Sequence, residues 1–318
     1  MFQLYKQLSQ KGILGINKRN ANYTLKYNAR NKYPIVDNKL KTKQLAIEAG
    51  IPVPELYAVI EIERQIQDFD DMIKDLPSFV IKPARGSGGN GIVVISNHVR
   101  DMYQKASGDF ITSDEIKYHI SNILSGLYSL GGQTDNAIIE YRIQPDLIFE
   151  PISYLGVPDI RIIVFFGIPV MSMVRLPTRM SDGKANLHQG AIGAGIDIAT
   201  GITLSAVWKD TIITNHPDTG YPVSDIRIPF WEKLLNLSSR CYEMTGLAYQ
   251  GVDIVLDKDK GPMILELNAR PGLNIQIANQ AGLLTRLKLV EAHHHELESI
   301  DDKIQFAIHH FKHSTALE

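Results

Sequence analysis

The chain has 318 residues, 44% of them hydrophobic, with 33 basic and 35 acidic side chains and a formal net charge of −2. That balance gives no basic field for nucleic acid, and no run of ~18 or more apolar residues offers a membrane span. The single cysteine, Cys241, excludes an internal disulfide and fits a reducing cytoplasm.

In chain order, "MFQLYKQLSQ" lacks the basic start and apolar run of a signal peptide. Residues 1–36 show little periodicity and many Asn, Arg and Tyr. They read as an arm of short helical pieces, with Arg19, Asn20, Tyr23, Asn28 and Arg30 on its surface. Asp37 reads as the N-cap of a helix through "NKLKTKQLAIEA", which Gly50 and Pro52 end. Residues 78–95 read as strand, loop, strand. A helix in "SDEIKYHISNILSGLYSLGG" runs to its closing glycines, and "NAIIEYRI" is a strand. "DIRIIVFFGIPVMSMVRL" is two strands with a turn at Gly167–Pro169. "IPFWEKLLNLSSRCYEMTGL" is a second amphipathic helix with Cys241 in its core face. "QGVDIVLD" and "GPMILELNARPG" form a last hairpin, and the final ~35 residues read as helical. Its histidines, among them His293, His309 and His313, read as a solvated face. Strands joined by hairpins, with helices grouped between them, predict an α+β fold with antiparallel sheets.

The stretch "FVIKPARGSGGNGIVVI" places six residues, Gly86, Ser87, Gly88, Gly89, Asn90 and Gly91, between two apolar strands. Four are glycine, so the loop is costly to order and packs little of its own. A dinucleotide fold needs a helix after such a loop, and here "IVVI" is a β-branched strand. A P-loop needs Lys and Ser or Thr after the last glycine, and here Ile92 follows. The kinase pattern fails for want of H-R-D and D-F-G. What remains is a glycine flap whose backbone N–H groups close over phosphates. Phe79 and Ile81 share one face of the preceding strand, Val80 and Lys82 the other. Lys82 therefore stands where it can neutralise a phosphate.

The last hairpin carries two carboxylates that repel. With "DKDKGP" as a six-residue loop, Leu256 pairs with Met263 and Asp253 lies opposite Glu266. Like charges so placed destabilise a sheet. A hard divalent cation reverses the sign, and Asp253, Glu266 and Asn268 give three oxygen donors of the kind Mg²⁺ prefers beside phosphates. With Gly167-Ile168-Pro169 as a three-residue loop, Arg161 faces Arg175, and two facing cations call for an anion between them.

Taken in order, the strand lysine, glycine flap, Glu140, D-x-R and final Asp, Glu-x-Asn hairpin resemble the ATP-grasp superfamily. The likeness covers about residues 37–285. Within it the chain is most similar to carboxylate–amine ligases that add glutamate to a ribosomal protein and to their α-L-glutamate-ligase-like relatives. The resemblance implies two α+β subdomains clasping ATP, with the usual N-terminal open domain reduced or absent. The expected organisation is an arm at 1–36, an ATP-grasp N-terminal part at 37–145, a C-terminal catalytic part at 146–290 and a helical tail at 291–318. It implies that Lys39 and Lys82 contact phosphates under the flap. Glu140, Tyr141, Arg142 and Ile143 form the adenine hinge, and Asp159 binds ribose. Arg175 is the catalytic arginine, with Arg161 beside the transferred group and Asn186 and His188 of "ANLHQGA" near the acyl phosphate. Asp253, Glu266 and Asn268 hold two Mg²⁺ ions, with Mn²⁺ an alternative. Arg270 stands where those ligases carry a small residue; it either binds a second substrate carboxylate or pairs with Glu266.

The implied activity is ATP-dependent amide bond formation through an acyl phosphate, in the cytoplasm. It would join an amino acid to an amino acid, peptide or protein acceptor. No nucleic-acid or membrane partner is implied, and a homo-oligomer is compatible. A phosphotransferase and a non-catalytic ATP-binding regulator are the alternatives.

Overall fold

The structure is a computed structural model and describes residue 8 and residues 10–86, 88–99 and 102–313. It divides into two compact units. The smaller holds Asp37–Gln44 and Val53–Gln144; the larger holds the residues up to Val36, Leu45–Pro52 and those from Pro145 onward. Among the described residues every strand pairing is antiparallel. None of their helices is long and apolar enough to cross a membrane.

The smaller unit is built on one six-stranded sheet. Its strands are β1 (Leu56–Ile60), β2 (Phe79–Pro83), β3 (Val93–Val99), β4 (Met102–Lys105), β5 (Phe110–Thr112) and β6 (Ala137–Glu140). Their order is β1-β6-β2-β3-β4-β5. Helix α1 (Lys39–Glu48) starts one residue later than the sequence suggests. Asn38, not Asp37, caps it, accepting from the Leu40 and Lys41 amides at 2.9 and 3.2 Å. The cap must directly precede the first helical residue to reach those amides, and Asp37 is one position too early. Helix α2 (Ser113–Leu124) opens with a capping box, Thr112 and Glu115 exchanging bonds. Its Ile116, Ile120 and Ile123 stripe packs with Phe69, Phe79, Ile81, Ile95 and Ile139. α2 stops at Leu124 instead of continuing to Gly131–Gly132. Gly126, at φ 86°, turns the chain against Gln133, where no Cβ fits.

The larger unit carries β7 (Asp159–Phe165), β8 (Ile168–Leu176), β9 (Ile192–Ile196), β10 (Thr203–Trp208), β11 (Thr211–Ile213), β12 (Tyr249–Asp257) and β13 (Gly261–Asn268). The order is β11-β10-β9-β8-β7-β12-β13, with β12 buried at every position. Helix α3 (Trp231–Thr245) packs Leu234, Leu235, Ser238 and Cys241 toward β7 and β8. Cys241 is fully buried, and burial pushes its thiol up to about 12, so it is core filler. α4 (Leu283–His293) and α5 (Ile300–His310) cover β8.

Two hairpin registers differ from the sequence reading. The β7–β8 turn is Phe166–Gly167, both at positive φ (51° and 79°), a geometry that matches strand twist. Phe165 pairs with Ile168, a bulge follows Ile163, and Arg175 falls opposite Asp159 while Arg161 falls opposite Met173. Phe166 tolerates positive φ because its ring stacks on His294 at 3.8 Å and lies edge-on to Tyr27 and Tyr242. In the β12–β13 hairpin Leu256 pairs with Pro262, not Met263, around the shorter turn Lys258–Lys260. A bulge at Leu265 restores the register, so Asp253 does lie opposite Glu266.

One face of the N-terminal arm is buried, while Arg30 is exposed as the sequence suggests. Arg19, Tyr23 and Asn28 are buried. Tyr23 meets Phe165 edge-on at 5.6 Å, and the Asn28 amide pairs with both backbone groups of Tyr249, at 2.6 and 2.9 Å. Tyr and Asn carry packing surface together with polar groups, so a polar composition conceals a buried segment.

Candidate active site

On the sheet of the larger unit, β12 lies between β7 and β13 and sets Asp253 in register with Arg161 on one side and Glu266 on the other. Asp253, 1% exposed, receives Arg161 through Nε at 2.7 Å and Nη2 at 2.6 Å. Its Oδ2 also accepts from Arg175 Nη2 at 2.8 Å and Asn268 Nδ2 at 3.2 Å. Arg175 in turn grips both oxygens of Asp159, each at 2.5 Å. The anion that joins the two arginines is thus Asp253 itself, reached diagonally and not across a facing pair. Burial opposes ionisation of Asp253, but Arg161 and Arg175 hold its carboxyl below the usual range. Burial dominates at Asp159 and raises it to about 6 against the pull of Arg175. Burial works against the Arg175 charge as well, yet Asp159, Asp253 and Glu266 together raise its pKa.

Glu266 and Asn268 are half-buried beside this row. A hard cation fits them in part. Glu266 brings a carboxylate, and with its amide nitrogen turned to Asp253, Asn268 keeps its carbonyl oxygen for other partners. Asp253 would have to share oxygens already held by two arginines. Among the described residues no group of three His, Cys, Asp or Glu side chains is placed to hold a metal ion.

The smaller unit holds a second buried charge cluster. β6 ends in Glu140, cross-strand from Val80 on β2. Its carboxylate takes Lys82 on Oε1 and Lys43 on Oε2, the latter at 2.9 Å, with all three side chains at most 6% exposed. Burial opposes the Glu140 charge, but the two lysines hold its pKa down. Burial outweighs Glu140 at Lys43 and lowers that ammonium. Two lysines on one carboxylate gather positive charge in a buried place, which an anionic ligand would relieve. Sequence reading missed Lys43. Its one signal is the four-residue spacing from Lys39 on the same helix.

The glycine loop is fastened at both ends. Lys39 Nζ donates to the Gly86 carbonyl at 2.6 Å. Buried Asp135 accepts from the Arg85 amide at 2.9 Å and from Ser129 Oγ at 2.8 Å. At the far end His119 Nε2 bonds the Gly91 carbonyl at 2.9 Å, and the Tyr128 ring lies beneath Gly91. Between these points Gly88 and Gly89 have positive φ, and Asn90 is exposed. Ser87 lies outside the described residues. After Glu140 the Tyr141 amide bonds the Glu55 carbonyl at 2.8 Å; Arg142 is half-buried and Ile143 buried.

Other expected residues stand apart from the charge row. Asn186 turns its side chain to its own turn, accepting from the His188 amide at 3.0 Å, and His188 is exposed. Among the described residues neither bonds Arg161, Arg175 or Asp253. Arg270 is exposed, with its guanidinium 5.1 Å from the Tyr33 ring centre.

Two antiparallel sheets of this kind, one with a glycine loop and buried lysines and one with a row of arginines and carboxylates, place the chain among the ATP-grasp proteins. The chain belongs to the sugar-transfer associated ATP-grasp family, whose model matches residues 18–292. Among solved structures it is similar to the ATP-grasp ligase PsnB complexed with a minimal precursor, at 13% identity and a TM-score of 0.44, covering 84% of this chain and 62% of that one. It is also similar to the D-cycloserine synthetase DcsG, at 14% identity and 0.44, covering 84% and 72%. The D-alanine–D-alanine ligase of Bacillus anthracis matches at 15% and 0.45, covering 88% and 69%. The chain thus spans less than two thirds of the PsnB chain. No match was found among curated proteins.

Proposed function

We propose that this protein is an ATP-dependent, ADP-forming carbon–nitrogen ligase that joins a carboxylate to an amine through an acyl phosphate. The observation that carries the reading is the row Asp159–Arg175–Asp253–Arg161 beside Glu266 and Asn268. Hydroxide is too poor a leaving group for an amine to displace, so the carboxylate must first be phosphorylated. Phosphoryl transfer asks a protein chiefly for positioned positive charge. Arg175 and Arg161 supply it, and Asp159 and Asp253 hold both planar forks in place before any substrate arrives. Asp159, expected at the ribose, is turned to Arg175, and we assign it that orienting role. Glu266 and Asn268, with a share of Asp253, would hold Mg²⁺, which neutralises phosphate oxygens when bound. Lys39, Lys82 and Lys43 serve phosphate charge. The backbone of Gly86–Gly91 closes over it and keeps water from the intermediate, and residues 140–143 offer the adenine edge. Asn186 and His188 act on the acyl phosphate once their loop turns toward it. The substrates are an amino acid and an amino acid, peptide or protein acceptor, and the setting is cytoplasmic.

Hydroxylamine captures acyl phosphates as hydroxamates. With ATP, Mg²⁺ and a panel of amino acids and short peptides, hydroxamate and ADP should appear together for the right acid. A stable phosphorylated alcohol would make the protein a phosphotransferase. ATP that binds but is never turned over across the panel would make it a regulator.

A further inference from the structure

The N-terminal π-helix Arg19–Thr24 brings a second arginine to the turn that follows β13. Arg19, 6% exposed, donates from Nη1 to the Pro271 carbonyl at 2.6 Å, and its Nε is buried without an acceptor. Arg270, the preceding residue, points an exposed guanidinium over the Tyr33 ring. Tyr33 is itself buried, and its hydroxyl donates to the Thr24 carbonyl at 3.4 Å, so the platform under Arg270 is fixed. Among the described residues no acidic side chain pairs with either arginine. Burial lowers the Arg19 pKa, and the neighbouring Arg270 charge lowers it further.

A strut that only tied the arm to the turn would need one donor and no second cation beside it. Here two like charges are neighbours, one desolvated and one exposed over an aromatic ring, which leaves a guanidinium edge open to solvent. Such an edge offers paired N–H donors that match a carboxylate. Arg270 stands two residues beyond Asn268 on the same stretch of chain, so whatever it holds lies near the hairpin that carries Glu266.

We propose that Arg270, backed by Arg19 and seated on Tyr33, forms an anion subsite for a carboxylate that the substrate carries in addition to its reacting group. This rests on the ligase reading for its setting, and it deepens that reading by requiring one substrate to bear a further carboxylate. The extra carboxylate belongs either to the acid being activated or to the incoming amine.

Hydroxamate formation with hydroxylamine tests the acid alone, comparing dicarboxylic acids with their monoamides. Full ligation with amino acids or their carboxamides as the amine tests the other side. One arm should show a charged-over-neutral preference in kcat/KM. Arg270→Gln should reduce the charged substrate about 10–100-fold more than its amide, mainly through KM, with Arg270→Lys in between. Equal losses on charged and neutral substrates, or no charge preference in either arm, would overturn the subsite. A reading independent of turnover uses succinate, whose saturation-transfer NMR signal on the nucleotide-free protein should weaken in Arg270→Gln. Succinate signal lost in the variant supports the subsite even if no acid is ever activated. An unchanged signal overturns it even if the ligase reading stands.

Discussion

Arg175 joins two buried carboxylates, so under the proposed reading its loss should lower both turnover and stability. Arg175→Met should cost turnover ~10²–10³-fold, as for removal of one preorganised donor. It should also destabilise the larger unit by about 3–5 kcal/mol, because Asp159 and Asp253 lose a buried partner. Arg175→Lys should fall between, since it keeps charge and loses the planar fork. ATP affinity should change much less than kcat; a mutant that loses ATP binding and keeps kcat at saturation would move the catalytic role to Arg161. Glu266→Gln is the cleaner metal test because Glu266 is only half-buried. It should abolish Mg²⁺-dependent ADP release while melting stays within a few degrees of wild type. Chelation should reproduce that loss in the native protein. ADP release that survives either treatment would remove Glu266 from the metal site.

At the scale of elements the glycine loop, proposed as a flap, is the part most open to test. Its ends are pinned by Lys39, Asp135 and His119, with Gly88–Asn90 lying between the fastened points. Amide exchange there should slow on adding ATP, since phosphate oxygens would offer acceptors to the loop's backbone N–H groups. His119→Ala should speed exchange at Gly91 without nucleotide and raise KM for ATP. Gly91→Ala should be worse. Gly91 has φ 75°, and a Cβ there would come 2.6 Å from the Tyr128 ring. Exchange equally slow with and without ATP in both the wild type and His119→Ala would show that the loop is no flap. The same scale explains the β12–β13 hairpin: the bulge at Leu265 keeps Asp253 and Glu266 opposed although the turn is shorter than expected.

For the whole molecule, the acid limb of stability should report Glu140. Burial raises its pKa and Lys82 and Lys43 lower it, with a net downward shift. A carboxyl depressed in the folded state contributes stability that is present above its unfolded value of about 4.3 and is lost as pH falls through the lower folded value. Protection of β2 and β6 amides should therefore decline below about pH 4. Glu140→Gln should flatten that decline and destabilise the smaller unit by about 3–5 kcal/mol at neutral pH, leaving two lysines buried together. An acid limb unchanged by Glu140→Gln would place its origin elsewhere.

Strand and helix periodicity in this sequence determined the α+β class, the antiparallel hairpins, the glycine loop and the placing of Asp253 and Glu266 on facing strands of one hairpin. Each of these depends on residues close together in the chain, where alternation and turn chemistry act directly. Tertiary structure decided the rest. Phe166 enters a positive-φ turn only because His294, Tyr27 and Tyr242 receive its ring. That turn, with the bulge after Ile163, moves Arg175 from Arg161 to Asp159. Lys43 looks like any helix lysine until β6 brings Glu140 to it. Asn28 and Arg19 read as surface residues until Tyr249 and Pro271, 221 and 252 positions away, take their hydrogen bonds. Contacts at such separations leave no period in the sequence, so burial and partner of these polar groups are fixed only when the chain closes on itself.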